Sequence, residues 1–143
     1  MRALLDVNVL VALLDAGHLH HGAATDWLAR HMGDGWASCP LTQNGCVRIL
    51  SLASYPNPQL PAVAAQRLGQ AVAGDHHEFW PDSLSLLEPR RLNWDHVLGS
   101  RQVTDAYLLA LAAQRGGRLV TLDRGIAIAA VPGAAKRHLV TLS

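Results

Sequence analysis

Three aspartates, far apart in the chain, each stand at the border of an apolar segment. Asp6 follows Ala3–Leu5, Asp123 follows Leu119–Leu122, and Asp105 precedes a long apolar stretch. We expect the first two to end buried strands and Asp105 to lie in the first turn of a helix. In open α/β sheets the functional crevice lies outside the carboxyl ends of the strands. Three carboxylates at that edge repel one another unless a cation lies between them, so the sequence predicts a cation-binding acidic cluster.

The ligand type indicates which cation this would be. Carboxylate oxygens suit Mg²⁺ or Mn²⁺, and Mg²⁺ usually keeps water and substrate phosphate oxygens among its ligands. Such a cation can activate a water molecule for attack and stabilise charge on a phosphodiester. A single aspartate at a strand end is also a common turn or cap residue. Three of them in a chain with only 16% charged residues favour the metal site.

Composition sets limits on the fold and on its surroundings. The 143 residues fit one domain spanning 1–143, and a hydrophobic content of 50% is enough for a sizeable core. The net charge of +1 does not by itself indicate a nucleic-acid binder. No signal peptide or membrane-length apolar run is visible, so we expect a cytoplasmic protein with no membrane association. Cys39 and Cys46 are expected to be buried thiols in a reducing compartment.

Hydrophobic periodicity predicts strands that alternate with helices. The predicted strands are 2–6, 36–39, 84–87, 118–123 and 139–142, and the predicted helices are 8–14, 23–32, 42–53, 61–73 and 105–115. Gly116 and Gly117 should end the last helix. Strands separated by helices need crossover connections, which predicts an α/β fold with three α/β/α layers and a mainly parallel central sheet.

Three segments together resemble the acidic motifs of the PIN domain. They are LLDVNVLVAL from Leu4, VTDAYLLALA from Val103 and LVTLDRG from Leu119. The chain length and the middle segment are most similar to the VapC-type toxins of bacterial toxin–antitoxin pairs. The resemblance implies a PIN-like fold, Mg²⁺-dependent cleavage of RNA by Asp6, Asp105 and Asp123, a homodimer, and inhibition by a VapB-type antitoxin. The four tryptophans, more than a small core normally buries, also favour an interface.

One position departs from the family pattern. Gln43 stands where the family usually has an acid early in the helix after the second strand. An amide is a weaker metal ligand than a carboxylate, although it can hold a water molecule of the metal by a hydrogen bond. The change puts a second metal in doubt and leaves a non-catalytic RNA-binding or interaction module as the alternative function.

Three further residues are predicted to support the acidic cluster. Thr121 lies two residues before Asp123 and could orient that carboxylate, or it could be an ordinary β-branched strand residue. Asn8 could hydrogen-bond Asp6 or form a turn with its own backbone. Arg101, shortly before Asp105, is the preferred candidate for contact with an RNA phosphate.

A phosphotransfer domain is the third function that the first motif allows, because an aspartate at a first strand end also serves as a nucleophile. Such enzymes use a second aspartate two residues later as the acid, and here that residue is Asn8. Lys136 is the only lysine, and it does not follow a matching strand. The sequence therefore favours hydrolysis by a metal-activated water over a phosphoenzyme.

Overall fold

One five-stranded sheet organises the protein in the computed structural model, which describes residues 1–143. Its strands are β1 (Ala3–Leu5), β2 (Trp36–Ser38), β3 (His77–Phe79), β4 (Arg118–Thr121) and β5 (Leu139–Thr141). They lie in the order β3-β2-β1-β4-β5, and every neighbouring pair is parallel. The first strand of the chain is thus the central one. The predicted parallel sheet is confirmed.

Five α-helices cover the two faces of the sheet. They are α1 (Val7–Leu14), α2 (His21–His31), α3 (Pro40–Leu50), α4 (Pro61–Val72) and α5 (Ser100–Gln114). Side chains alternate across β1, so Ala3 and Leu5 pack in the core beneath α1 to α4, whereas Leu4 packs in the core beneath α5. The three-layer α/β/α arrangement is confirmed. No helix has both the length and the apolar character needed to cross a membrane.

The third strand is not where the sequence predicted it. Residues 84–87 form no strand, and β3 is instead His77–Phe79. This strand lies at the edge of the sheet and is largely exposed, so it pairs with β2 through its backbone without an apolar pattern. The apolar residues Leu84 and Leu86 reach the core under α5 from an irregular segment. Burial without regular structure explains the wrong prediction.

Helix α5 begins five residues before the predicted start at Asp105. Its first helical residue is Ser100, because the Oε1 of Gln102 accepts hydrogen bonds at 2.8 Å from the backbone N–H groups of Leu98 and Gly99. A glutamine at the third helical position is a local signal for the start of a helix. Asp105 therefore lies in the second turn and does not cap the helix. The predicted end is confirmed, since Gly116 has a left-handed φ of 67°.

The cysteine and tryptophan predictions have different outcomes. Cys39 and Cys46 are free and buried, as predicted, and burial raises their pKa values to about 11 and 12. The tryptophans were expected to favour an interface, and the structure does not support that expectation. Trp27, Trp36 and Trp80 are at most 8% exposed and belong to the cores, and only Trp94 is substantially exposed at 48%.

Candidate metal centre

The parallel register brings the ends of β1 and β4 to the same point. Leu5 pairs with Val120, and the backbone N–H of Asp6 donates to the Val120 carbonyl at 2.9 Å. Asp6 is therefore beside Thr121 at the carboxyl edge of the two central strands. Asp105 approaches the same edge from α5, and Asp123 lies in the turn after β4 rather than within the strand as predicted. The three predicted acids thus gather at the predicted edge of the sheet.

Asp6 is held rigidly. It is 5% exposed and caps the N-terminus of α1, where its Oδ1 accepts from the backbone N–H of Val7 at 2.7 Å. Its Oδ2 accepts from the Thr121 hydroxyl, also at 2.7 Å. Burial raises the pKa of Asp6, against the opposing effect of these two hydrogen bonds. The carboxylate is thus fixed in direction but disfavoured in its charged form.

Thr121 connects the parts of this site. Besides donating to Asp6, its Oγ1 accepts from the backbone N–H of Asp123 at 3.0 Å and contacts the Asn8 side-chain amide at 3.4 Å. The sequence allowed a hydrogen bond between Asn8 and Asp6, but the structure has none. The Asn8 Oδ1 instead accepts from the backbone N–H of Leu122 at 3.1 Å. Asn8 therefore ties α1 to the end of β4. Thr121, fully buried, orients Asp6 and the backbone at Asp123.

Asp105 experiences the strongest electrostatic effect among the three acids. It is half-buried in α5 and lines the same cleft as Asp123. Burial, together with the negative charges of Asp6 and Asp123, raises the pKa of Asp105 to about 7. A carboxyl group with such a pKa is partly protonated at neutral pH. Burial is the largest cause of this shift, and the charges of Asp6 and Asp123 act in the same direction.

No basic side chain forms an ion pair with these acids. The ion pairs of the protein lie elsewhere, at Asp34, Glu78 and Glu88, and none includes Asp6, Asp105 or Asp123. Three oxygen donors without a protein cation match the ligand chemistry of Mg²⁺. The side chains do not, however, enclose one common point as a group of three ligands. A Mg²⁺ ion at this edge would take one or two of these carboxylates directly and keep several waters.

Arg101 lies beside the acids, as predicted. With Asp105, Asp123 and Gly125 it lines an open cleft of about 560 Å³. Arg101 is exposed and forms no ion pair, so its guanidinium group is free to meet an anion in the cleft. Gly125 closes the turn at the cleft edge, where its backbone N–H donates to Asp123 Oδ1 at 2.7 Å. The cleft is therefore lined by both acidic side chains and a guanidinium group.

Gln43 lies in the first turns of α3, at the same edge of the sheet, but contacts none of the three acids by a hydrogen bond. Its Nε2 donates to the Ser38 hydroxyl at 2.9 Å, and Ser38 in turn contacts Nε2 of His77 at 2.8 Å. Ser38 and His77 were not expected at this edge from the sequence. No spacing rule connects residues 38, 43 and 77, since the sheet alone brings them together.

Comparison with known proteins places this arrangement in a family. The PIN domain family model matches residues 3–132. The chain is 50% identical over 142 residues to ribonuclease VapC44 of Mycobacterium tuberculosis, covering 99% of this chain and 100% of that protein. It is 44% identical over 134 residues to ribonuclease VapC39 of the same organism, covering 93% and 96% of the two chains.

Solved structures agree on the fold. VapBC2 from Rickettsia felis, bound to a DNA fragment from its promoter, matches with a TM-score of 0.65 and 14% identity over all of both chains. The sarcin-ricin loop cleaving toxin VapC20 of M. tuberculosis matches with a TM-score of 0.58 and 16% identity, covering 81% of this chain and 85% of VapC20. These structural likenesses support the fold, and the sequence matches are specific to one group. The chain therefore belongs to the PIN-domain family, in its VapC branch.

Proposed function

We propose that the protein is a Mg²⁺-dependent endoribonuclease and the toxin of a toxin–antitoxin pair. The observation that carries the proposal is the acidic cluster of Asp6, Asp105 and Asp123, which lacks a protein cation, in a chain similar over its whole length to ribonucleases. Mn²⁺ is the other cation that this ligand set would accept. Hydrolysis of an RNA phosphodiester is the reaction that the site and the relatives support best.

Each acidic residue has a distinct part in this proposal. Asp6, buried and fixed by Thr121 and Val7, would be the anchoring ligand. Asp105 and Asp123 line the open cleft and would hold the cation on the side where the substrate enters. When bound, Mg²⁺ supplies the Lewis acidity that activates water and stabilises negative charge on the phosphate. Without the cation the pKa of Asp105 is about 7, so binding of Mg²⁺ near neutral pH would release part of a proton from this carboxyl group.

Two partners follow from the same reasoning. RNA would enter the cleft with a phosphate against Arg101, because guanidinium groups bind phosphate oxygens by charge-assisted hydrogen bonds. A VapB-type antitoxin is the proposed inhibitor, since the Rickettsia felis relative is a VapBC2 structure. An Arg or Lys of that partner would pair with the acids in place of the cation. The homodimer rests on family membership alone.

The acidic site is tested by Asp105→Asn. Because Asp105 lies in the second turn of α5, the substitution removes its charge without disturbing the helix start, and RNA cleavage should fall by roughly 100-fold or more. Cleavage of a labelled RNA in Mg²⁺ measures this, with circular dichroism to verify folding. Asp75→Asn, an exposed aspartate in the loop after α4, is the matched control and should keep full activity. Wild-type rates in a folded Asp105→Asn variant would contradict the assignment.

The raised pKa of Asp105 predicts how stability depends on pH. The group titrates near 4 in an unfolded chain and at about 7 in the folded protein, so its proton favours the folded state. That stabilisation is present at low pH and is lost as pH rises through about 7. In EDTA, the Tm of Asp105→Asn minus that of the wild type should therefore increase from pH 5 to pH 8.

The comparison of the two variants cancels other titrating groups. Burial lowers the pKa values of His77 and His138, which makes the protein less stable in acid. This histidine effect is present in both the wild type and Asp105→Asn, so it cancels in the difference between their Tm values. At pH 8, added Mg²⁺ should raise the Tm of the wild type more than that of Asp105→Asn. A Tm difference that stays constant with pH would show that Asp105 is not coupled to the other acids.

The phosphate contact is tested by Arg101→Ala. Loss of this exposed guanidinium should weaken RNA binding several-fold and reduce the slope of log affinity against log salt by about 1. Mn²⁺ affinity should not fall, because Arg101 is not a ligand and its positive charge in the cleft does not favour a cation. Arg30→Ala, on the exposed face of α2 under the opposite side of the sheet, is the matched control. An unchanged salt slope for Arg101→Ala would remove this residue from the RNA surface.

The antitoxin and dimer proposals have a test of their own. Light scattering on the purified chain of 15.4 kDa should give twice that mass at micromolar concentration. Co-expression with the product of the short reading frame beside its own gene should give a complex that no longer cleaves RNA. If the two proteins co-purify while cleavage continues, the antitoxin does not block the acidic site.

A further inference from the structure

The segment before α5 exposes side chains that the acidic cluster does not use. Trp94 is the one tryptophan outside the two cores, and His96 and Leu98 are exposed as well. Trp94 and His96 belong to a short 3-10 turn, Trp94–His96. Isolated exposed apolar residues are ordinary on protein surfaces, so their position relative to the acids decides whether they have a function.

This segment runs along Asp105. The cleft that Arg101 and Asp105 line also has Leu98 in its wall. His96 lines a smaller cavity beside that cleft, and Asp105 and Gln102 belong to the walls of both. The exposed turn is therefore adjacent to the acidic site and continuous with its open cleft.

Hydrogen bonds hold the segment in place at both ends. Before the turn, the Asn93 backbone N–H donates to the Ala130 carbonyl at 2.8 Å, and the Asn93 Oδ1 accepts from the backbone N–H of Asp95 at 3.3 Å. After the turn, the Gln102 side chain binds two backbone N–H groups at the start of α5. A surface that is already ordered loses less conformational freedom when a ligand binds. The exposed side chains therefore project from a fixed backbone.

Trp94 and His96 both present flat rings from this turn. A 3-10 turn rises by about 2 Å per residue, so the two residues lie about 4 Å apart along it. The Val97 backbone N–H donates to the Trp94 carbonyl at 3.1 Å and closes the turn. Indole and imidazole rings bind nucleic-acid bases by stacking. The turn thus offers ring surface for bases beside a cleft that suits a phosphate.

The charges of the segment indicate which part of a nucleotide lies where. Arg101 lines the cleft without an ion pair, so it attracts a phosphate to that end of the segment. Asp95, between the two rings in sequence, disfavours a phosphate at the turn itself. Bases in an A-form duplex are stacked on one another, so only an unpaired nucleotide can present a base face to Trp94 or His96. Continuity with the cleft of Arg101 favours RNA over a protein as the occupant.

We propose that Trp94 and His96 are substrate-binding residues, which stack on unpaired bases of RNA next to the phosphate to be cleaved. They would select single-stranded segments over duplexes. The inference rests on the proposed ribonuclease function for the identity of the ligand, but RNA binding is measured separately from cleavage.

The proposal is tested by RNA binding in EDTA, where metal-dependent cleavage does not occur. The probes are a short, fluorescein-labelled single-stranded RNA of mixed sequence and the same strand annealed to its complement. Trp94→Ala and His96→Ala should each weaken single-strand binding about 5-fold or more, the usual effect of removing a ring that stacks on a base. Trp94→Phe should keep most of the affinity, because it keeps a flat ring. Duplex binding should be weaker in the wild type and unchanged in either alanine variant.

A histidine far from the acids supplies the matched control. His76 is exposed and precedes β3 at the amino end of the parallel sheet, the edge opposite the acids, so His76→Ala should bind RNA normally. Bound single-stranded RNA should also quench the tryptophan fluorescence of the wild type, and Trp94→Phe should lose this quenching. Thermal melting verifies that each variant is folded.

The outcomes separate this inference from the proposed function. Alanine variants that bind the single strand as tightly as the wild type would overturn the proposal, and loss of the antitoxin complex in the same variants would assign the turn to a protein partner. Equal losses for single-stranded and duplex RNA would also overturn base stacking. A wild type that binds the single strand through both rings but does not cleave it in Mg²⁺ would instead overturn the nuclease function and keep this inference.

Discussion

The repulsion between Asp6, Asp105 and Asp123 is the constraint on which the rest of the structure depends. The fold brings these acids together without a compensating side chain and prevents them from moving apart. Asp6 is tied to Thr121 and Val7, Asp105 is built into a helix whose next seven residues are buried, and Asp123 is held by hydrogen bonds at its backbone and at its side chain. The energy for this comes from the two apolar cores on either side of the sheet. Carboxyl groups whose pKa values are raised in this way, as those of Asp6 and Asp105 are, cluster at functional sites.

Gln43 is easier to understand beside this constraint. A carboxylate at that position would add another negative charge at an edge where burial and like charges already raise the pKa values of Asp6 and Asp105. An amide contributes an oxygen without that charge, but it can also turn its nitrogen outward. In the structure the Gln43 nitrogen is engaged, because its Nε2 donates to the Ser38 hydroxyl at 2.9 Å.

The sequence predicted the parts of the fold that depend on burial. The short apolar runs before Asp6 and around Val120 correctly predicted central strands, because both faces of such strands are covered. It could not locate β3, because an exposed edge strand such as His77–Phe79 is selected by backbone pairing and carries no apolar signature. The early start of α5 has a local signal in the sequence, because Gln102 accepts a hydrogen bond from the backbone just before the helix. The partners of Asn8 and Gln43 had none, since each depends on which strands become neighbours.

The connectivity of the sheet has a consequence for the synthesis of the protein. The central strand β1 leaves the ribosome first, yet its neighbour β4 follows more than a hundred residues later, and the hydrogen bond from Thr121 to Asp6 spans 115 residues. Pairings of this kind form late because the intervening chain must first be available. A nascent chain interrupted before β4 lacks Asp123, the Thr121 hydroxyl and the second neighbour of β1. The chain must therefore be synthesised through Asp123 before the acids can meet, and a chain interrupted earlier carries only separated fragments of the site.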